Sequence, residues 1–109
     1  MESQIKIASK SDIPIGTVRL FKAEQEQILV ANVNGKYYAM SNPCTHKGGD
    51  LSKGTLDGSV VTCPNHHARF DITTGKAISP PKIGPFHPKI EDEKIYPVTL
   101  AGENLIIKL

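Results

Sequence analysis

Two cysteines are all that the 109 residues contain, so a disulfide-stapled framework is excluded and at most one bridge is open to them. The chain also lacks any block of about five or six like charges. Its 13 basic and 11 acidic residues are scattered and sum to a net +2, which argues against a nucleic-acid partner. No apolar run approaches the ~18 residues of a membrane span. The opening stretch MESQIKIASKSDIPIG has no apolar segment of the kind a signal peptide needs. A cytoplasmic location is therefore expected, where thiols stay reduced and cysteines serve metals or chemistry more than disulfides. What is present suits one ordinary folded domain over residues 1–109: 39% hydrophobic and 22% charged residues. A chain this short buries roughly two thirds of its unfolded surface. That leaves one modest core and no enclosed substrate chamber.

A helical stripe of apolar residues is missing as well, and the strand-forming residues fall into short runs between turn signals. The pattern predicts an all-β fold. Ile5 and Ile7 alternate with polar neighbours, Val18 to Phe21 follows the break at Pro14 to Gly16, and Ile28 to Val33 is a longer apolar run. Asn34-Gly35 predicts a type I′ hairpin onto Tyr37 to Met40, because both residues tolerate positive φ. Asp57-Gly58 carries the same turn chemistry before Val60 to Thr62. Ile95 to Leu100 is expected to pair with Leu105 to Leu109 across Gly102 to Asn104. Ala23 to Gln27 reads either as a very short helix or as a polar hairpin loop. Three segments with little apolar periodicity remain: Ser41 to Gly54, Cys63 to Phe70 and Ser79 to Lys94, the last holding four prolines. Loops carried on a rigid β scaffold are where binding residues concentrate.

The first two of these loops hold the informative pattern, Cys44-Thr45-His46 and, after sixteen intervening residues, Cys63-Pro64-Asn65-His66. Each loop offers one thiolate and one imidazole. Such a set suits an iron–sulfur centre in which two histidines replace two cysteines on one iron, or a structural zinc site. Zinc fingers group their cysteines together and their histidines together, whereas each loop here mixes them. Around these ligands the sequence resembles the Rieske ferredoxin family, through CTHKGGDLSKG, CPNHHARFD and TTGKAISPP in that order.

The resemblance implies an antiparallel β sandwich with a smaller, loop-built cluster-binding part, formed from loops 41–54 and 63–70 and covered by the proline-rich loop 79–94. It implies one [2Fe–2S] cluster, with Cys44 and Cys63 on one iron and His46 and His66 on the other. Neutral imidazoles in place of two thiolates remove two negative charges and raise the potential. Titration of those imidazoles lowers it again as pH rises. Rieske proteins of respiratory complexes add a cysteine to each loop, where this chain has Gly49 and Asn65, so no disulfide ties the loops. Those proteins also place a serine and a tyrosine hydroxyl near the cluster, where this chain has Ala68 and Phe70. The expected potential thus lies in the lower part of the Rieske range of about −150 to +300 mV.

The remaining residues are read beside that resemblance. His67 stands where the family has glycine and is expected in a crowded turn, facing solvent or lying behind the ligands. His87 reads as a surface residue. Gly48 and Gly49 suit a close approach of backbone to cluster sulfur, and Pro80-Pro81 suits a shielding loop. Lys47 and Lys82 are expected beside the cluster, where they would steer an acidic partner. The functional expectation is a monomeric electron carrier between a flavin-dependent reductase and a terminal oxygenase, with no substrate chemistry of its own. The large oxygenases of the family carry a further iron domain for which 109 residues leave no room. The alternatives are a small Rieske-like subunit of an assimilatory nitrite reductase and a zinc-stabilised interaction module.

Overall fold

The structure is a computed structural model, and it describes residues 4–42, 50–64, 67–79 and 91–108. Three antiparallel sheets make up these residues. The central sheet has the order β2-β3-β4-β9, formed by Val18–Ala23, Glu26–Val33, Lys36–Ser41 and Ile95–Tyr96. A three-stranded sheet, β1-β11-β10, joins Gln4–Ser9, Asn104–Lys108 and Val98–Ala101. A meander of three-residue strands forms the third sheet: β5 (Thr55–Asp57), β6 (Val60–Thr62), β7 (Arg69–Asp71) and β8 (Ala77–Ser79).

The long apolar run in β3 explains how these sheets stack. Successive strand residues point to opposite faces, and Ile28, Leu29, Val30 and Ala31 are all fully buried. Ile28 and Val30 enter a core with Ala8, Leu105 and Ile107 of the three-stranded sheet. Leu29 and Ala31 enter a second core with Leu51, Val61, Cys63 and Phe70. The central sheet is thus covered on both faces, which is why its middle strand reads as continuous rather than alternating. Each large aliphatic or aromatic side chain so buried contributes about 1.5–3 kcal/mol.

Turn chemistry fixes the registers. Asn34 and Gly35 both have positive φ, 53° and 89°, as the I′ turn of the β3–β4 hairpin requires. Asn32 supports that turn: its Oδ1 accepts the Gly35 N–H at 2.8 Å, and its Nδ2 donates to the Ile13 carbonyl. The Ala23 to Gln27 segment is a hairpin, not a helix, with Ala23 opposite Glu26 and Glu24 at φ 56°. In the β5–β6 hairpin Asp57 is the last paired residue, opposite Val60, so the turn is Gly58-Ser59, one step later than the sequence suggests. Only its first residue has positive φ, at 61°, the II′ pattern rather than I′.

The expected strand Ile95 to Leu100 is two strands. Pro97 lacks an N–H and interrupts the ladder; Ile95 and Tyr96 pair with β4, whereas Val98 to Ala101 pair with β11. The Tyr96 phenol is raised above its ordinary 10.0 by burial first and by the nearby Glu26 carboxylate next. Two short 3-10 turns, Lys10–Asp12 and Leu51–Lys53, complete the described elements. No helix among the described residues is long and apolar enough to cross a membrane.

Candidate metal centre

Cys63 leaves the end of β6 and its residue is 1% exposed, packed in the same core as Leu51, Ala68 and Phe70. The turn that it opens is closed by the backbone. Thr62 pairs with Arg69 across the β6–β7 ladder, and the Cys63 N–H donates to the Ala68 carbonyl at 2.7 Å. Val60, Val61 and Thr62 are β-branched and favour the strand that delivers the thiol to this point. Ala68 and Phe70 are as buried as Cys63, so the surroundings of the thiol on this side are apolar. His67, in contrast, is exposed and sits at φ 63°. That left-handed conformation is the one glycine adopts without penalty, which accounts physically for the glycine expected there and bears out the solvent-facing reading.

The other candidate loop is closed by side chains. Asn42 directly follows β4 and is 1% exposed. Its Nδ2 donates to Asp50 Oδ1 at 2.9 Å, and its Oδ1 accepts the Ser52 N–H at 2.9 Å. Its backbone N–H donates to the Gln27 carbonyl and its carbonyl accepts from Leu51. Asp50 Oδ1 also accepts the Ser52 N–H and hydroxyl. The Ser52 hydroxyl first, then the Asn42 amide, hold the Asp50 carboxyl below its ordinary 3.8 against the opposing effect of partial burial. An Asx turn of this kind, Asp50-Leu51-Ser52, was legible in the sequence as aspartate followed two places on by serine.

Close backbone approaches join the loop bases to one another. A Cβ built on Gly54 would run into the Thr62 carbonyl oxygen, one residue before Cys63, so this position admits only glycine without displacement. Gly75, at φ 78°, lies equally close to the Glu93 carbonyl, and its own carbonyl accepts the Glu93 N–H at 2.7 Å. The Ala77 N–H donates to Asp92 Oδ1 at 2.8 Å, and the Ser41 N–H to the Lys94 carbonyl at 2.8 Å. The two ends of the proline-rich segment are thereby fastened beside the bases of the other two loops. A groove of about 300 Å³ at the β4–β9 edge has neither Cys63 nor Asn42 in its described lining, so concavity alone does not mark the candidate centre.

Of the expected ligands, Cys63 is described; Cys44, His46 and His66 lie outside the described residues. The same holds for Lys47, Gly48, Gly49, Asn65, Pro80, Pro81, Lys82 and His87. The donor set nevertheless fits an iron–sulfur group: soft thiolates and neutral imidazoles are its ligands, and the one described donor has an apolar setting.

A β scaffold that gathers three loop bases around a buried cysteine defines an all-β protein whose candidate centre is carried on loops. Its family is given by the Rieske [2Fe-2S] domain model, which matches residues 3–105, and the chain belongs to that family. It therefore carries one [2Fe–2S] cluster, and the zinc module is not favoured. The ferredoxin component of a naphthalene 1,2-dioxygenase/salicylate 5-hydroxylase system from a Ralstonia species is 35% identical, over 99% of this chain and 97% of that protein. The ferredoxin component of biphenyl 2,3-dioxygenase from Rhodococcus jostii is also 35% identical, over 95% and 91%. The solved ferredoxin of Sphingomonas yanoikuyae B1 superposes with a TM-score of 0.81 at 29% identity, covering 98% of this chain and 99% of that one. A structure titled as the complex of reduced oxygenase and oxidized ferredoxin in carbazole 1,9a-dioxygenase contains a chain that matches with a TM-score of 0.80 at 28% identity, over 95% and 91%. The chain is an electron carrier of the ferredoxin-component type and not itself an enzyme, and the nitrite reductase alternative is not favoured.

Proposed function

We propose that Cys44, His46, Cys63 and His66 hold the cluster, and that the chain acts in the cytoplasm as a single Rieske domain passing electrons from a flavin-dependent reductase to a terminal oxygenase. The carrying observation is the convergence of the loop bases on the core that contains Cys63. Cys44 follows Asn42 by two residues and His66 precedes Ala68 by two, and two residues span at most about 7 Å. That short reach from the buried Asn42 and Ala68 supports the assignment of Cys44 and His66. Cys44 and Cys63 fit one iron, and His46 and His66 the other.

When bound, the cluster supplies reversible one-electron storage at a potential raised by its imidazole ligands. The chain's own residues do the rest. Leu51, Ala68 and Phe70 exclude water from the Cys63 side. Neither Ala68 nor Phe70 offers a hydroxyl that would stabilise the reduced state, which favours a potential in the lower part of the Rieske range. The segment 79–94, fastened at Ala77–Asp92 and Gly75–Glu93, fits the role of cover. An oxygenase as the receiving partner is supported by the relatives, whose names place them in dioxygenase systems.

The test combines spectroscopy with reconstitution. The purified protein should hold iron and acid-labile sulfide in equal amounts, give a rhombic EPR signal after dithionite reduction, and lose it in the Cys44→Ser, Cys63→Ser, His46→Ala and His66→Ala variants. With NAD(P)H, a flavin-dependent reductase and a Rieske oxygenase, it should support product formation. Retention of the signal in any ligand variant overturns that assignment, and stable association with a sirohaem protein in place of an oxygenase overturns the partner.

A further inference from the structure

We infer that Asn42 and Asp50 are positioning residues for the cluster: their clasp closes the turn that carries Cys44 and His46 and thereby sets the reduction potential. The inference rests on the ligand assignment proposed above. A loop joining two elements at a protein surface needs no such device, since water satisfies its backbone groups. Here the polar side chain that closes it is nearly fully buried. Asn42 is one of three buried polar or charged residues among those described, and another of them, Asn32, is accounted for by the Asn34-Gly35 turn. Both ends of the Asn42 amide are used across the loop, one toward Asp50 and the other toward Ser52. Left without those partners, a buried amide would cost the fold dearly.

The partner on the far side is charged. Asp50 Oδ1 receives three donors, from the Asn42 amide, the Ser52 N–H and the Ser52 hydroxyl. Only the seven residues 43–49 separate the two halves of the clasp, and two of the proposed ligands are among them. Leu51, next in the chain, packs in the core that holds Cys63. The clasp therefore ties the ends of that segment to the core that holds Cys63. A ligand loop fixed in this way keeps its donors in one arrangement in both oxidation states, as supporting residues around metal sites do. The fixed carboxylate also opposes the arrival of a further negative charge.

Four loaded variants test this: Asn42→Ala, Asp50→Asn, Ser52→Ala and, as a control, Asp57→Asn, whose carboxylate is exposed on β5. Each is measured for reduction potential, EPR line shape, iron and sulfide content over time, and melting temperature. Asp50→Asn keeps the shape and should move the potential upward. Asn42→Ala should lose iron and sulfide several-fold faster and show an altered EPR line shape. Ser52→Ala, which leaves the carboxylate ionised but loosens it, should alter the EPR line shape and speed loss of iron by less than Asn42→Ala, and Asp57→Asn should not move the potential. Potentials and spectra identical to the parent in Asp50→Asn and Ser52→Ala overturn the inference, whether or not Asn42→Ala folds. So does an equal upward shift in Asp57→Asn, which would mark a general charge effect. Absence of the rhombic signal in the parent protein would instead defeat the proposed function.

Discussion

The two segments proposed to bear the ligands are closed by different physics. The turn opened by Cys63 is held by strand pairing on either side and by apolar burial beneath it. The turn between Asn42 and Asp50 is held by a buried amide and an ionised carboxylate. Hydrophobic burial is non-directional and indifferent to the charge state of carboxylates, whereas a hydrogen-bonded carboxylate acts only while it is ionised. One half of the candidate centre should thus answer to core volume, the other to polar substitution and acid.

The largest effect should come from Phe70→Ala. Phe70 is fully buried beside Cys63 and Ala68, and emptying such a site costs about 3–5 kcal/mol. Thermal melts should show a loss of that order, accompanied by faster release of iron. A loss below about 1 kcal/mol would mean that the Cys63 turn is not founded on this core. Next comes Gly54→Ala, which drives a methyl group into the Thr62 carbonyl. Overpacking of this kind costs about 1–3 kcal/mol. Because Gly54 joins the two turns, its substitution should weaken cluster retention as well as the melt; an unchanged retention time would show that the turns are independent.

Acid separates the halves further. The Asp50 carboxyl is held below its ordinary 3.8 in the folded chain, chiefly by the Ser52 hydroxyl. Its contribution is therefore complete above the unfolded value and disappears as pH falls through the lowered folded value. Melting temperatures of the parent and of Asp50→Asn should differ at neutral pH and converge as the pH falls below the ordinary 3.8 and through the lowered folded value. A difference that persists unchanged into acid would assign the effect to shape rather than to charge.

Much of this was legible in the sequence, for identifiable reasons. The β3–β4 hairpin follows from Asn34-Gly35, whose two positive φ angles few other pairs accept. The candidate ligands follow from cysteine and histidine spacing, because metal chemistry restricts residue types severely. The apolar run from Ile95 to Leu100 reads as one strand, although Pro97 within it has no N–H to pair. The partner of Ile95 and Tyr96 is β4, a long-range choice that no local pattern specifies. Of the third sheet only a turn near Asp57-Gly58 and the strand Val60 to Thr62 were legible; its other strands are three residues long, too few for an alternation to register. Asn42 was passed over because an asparagine before a proline reads as an ordinary turn residue; only its burial reveals that it closes the loop.

The smallest effect should be a gain. His67 occupies the left-handed region at φ 63° and is exposed. A side chain there costs about 1–2 kcal/mol. Glycine removes that cost, but its freer unfolded chain takes back about 0.5–1 kcal/mol. His67→Gly should therefore stabilise the protein by several tenths of a kcal/mol and raise the melting temperature by a few degrees at most. The gain arises in the backbone of the Cys63 turn, so it should be the same in the Asp50→Asn background, as for independent sites. A lowered melting temperature would show that the imidazole makes contacts that outweigh its strain. A gain that depends on Asp50 would show that the two turns share more than the Gly54 contact.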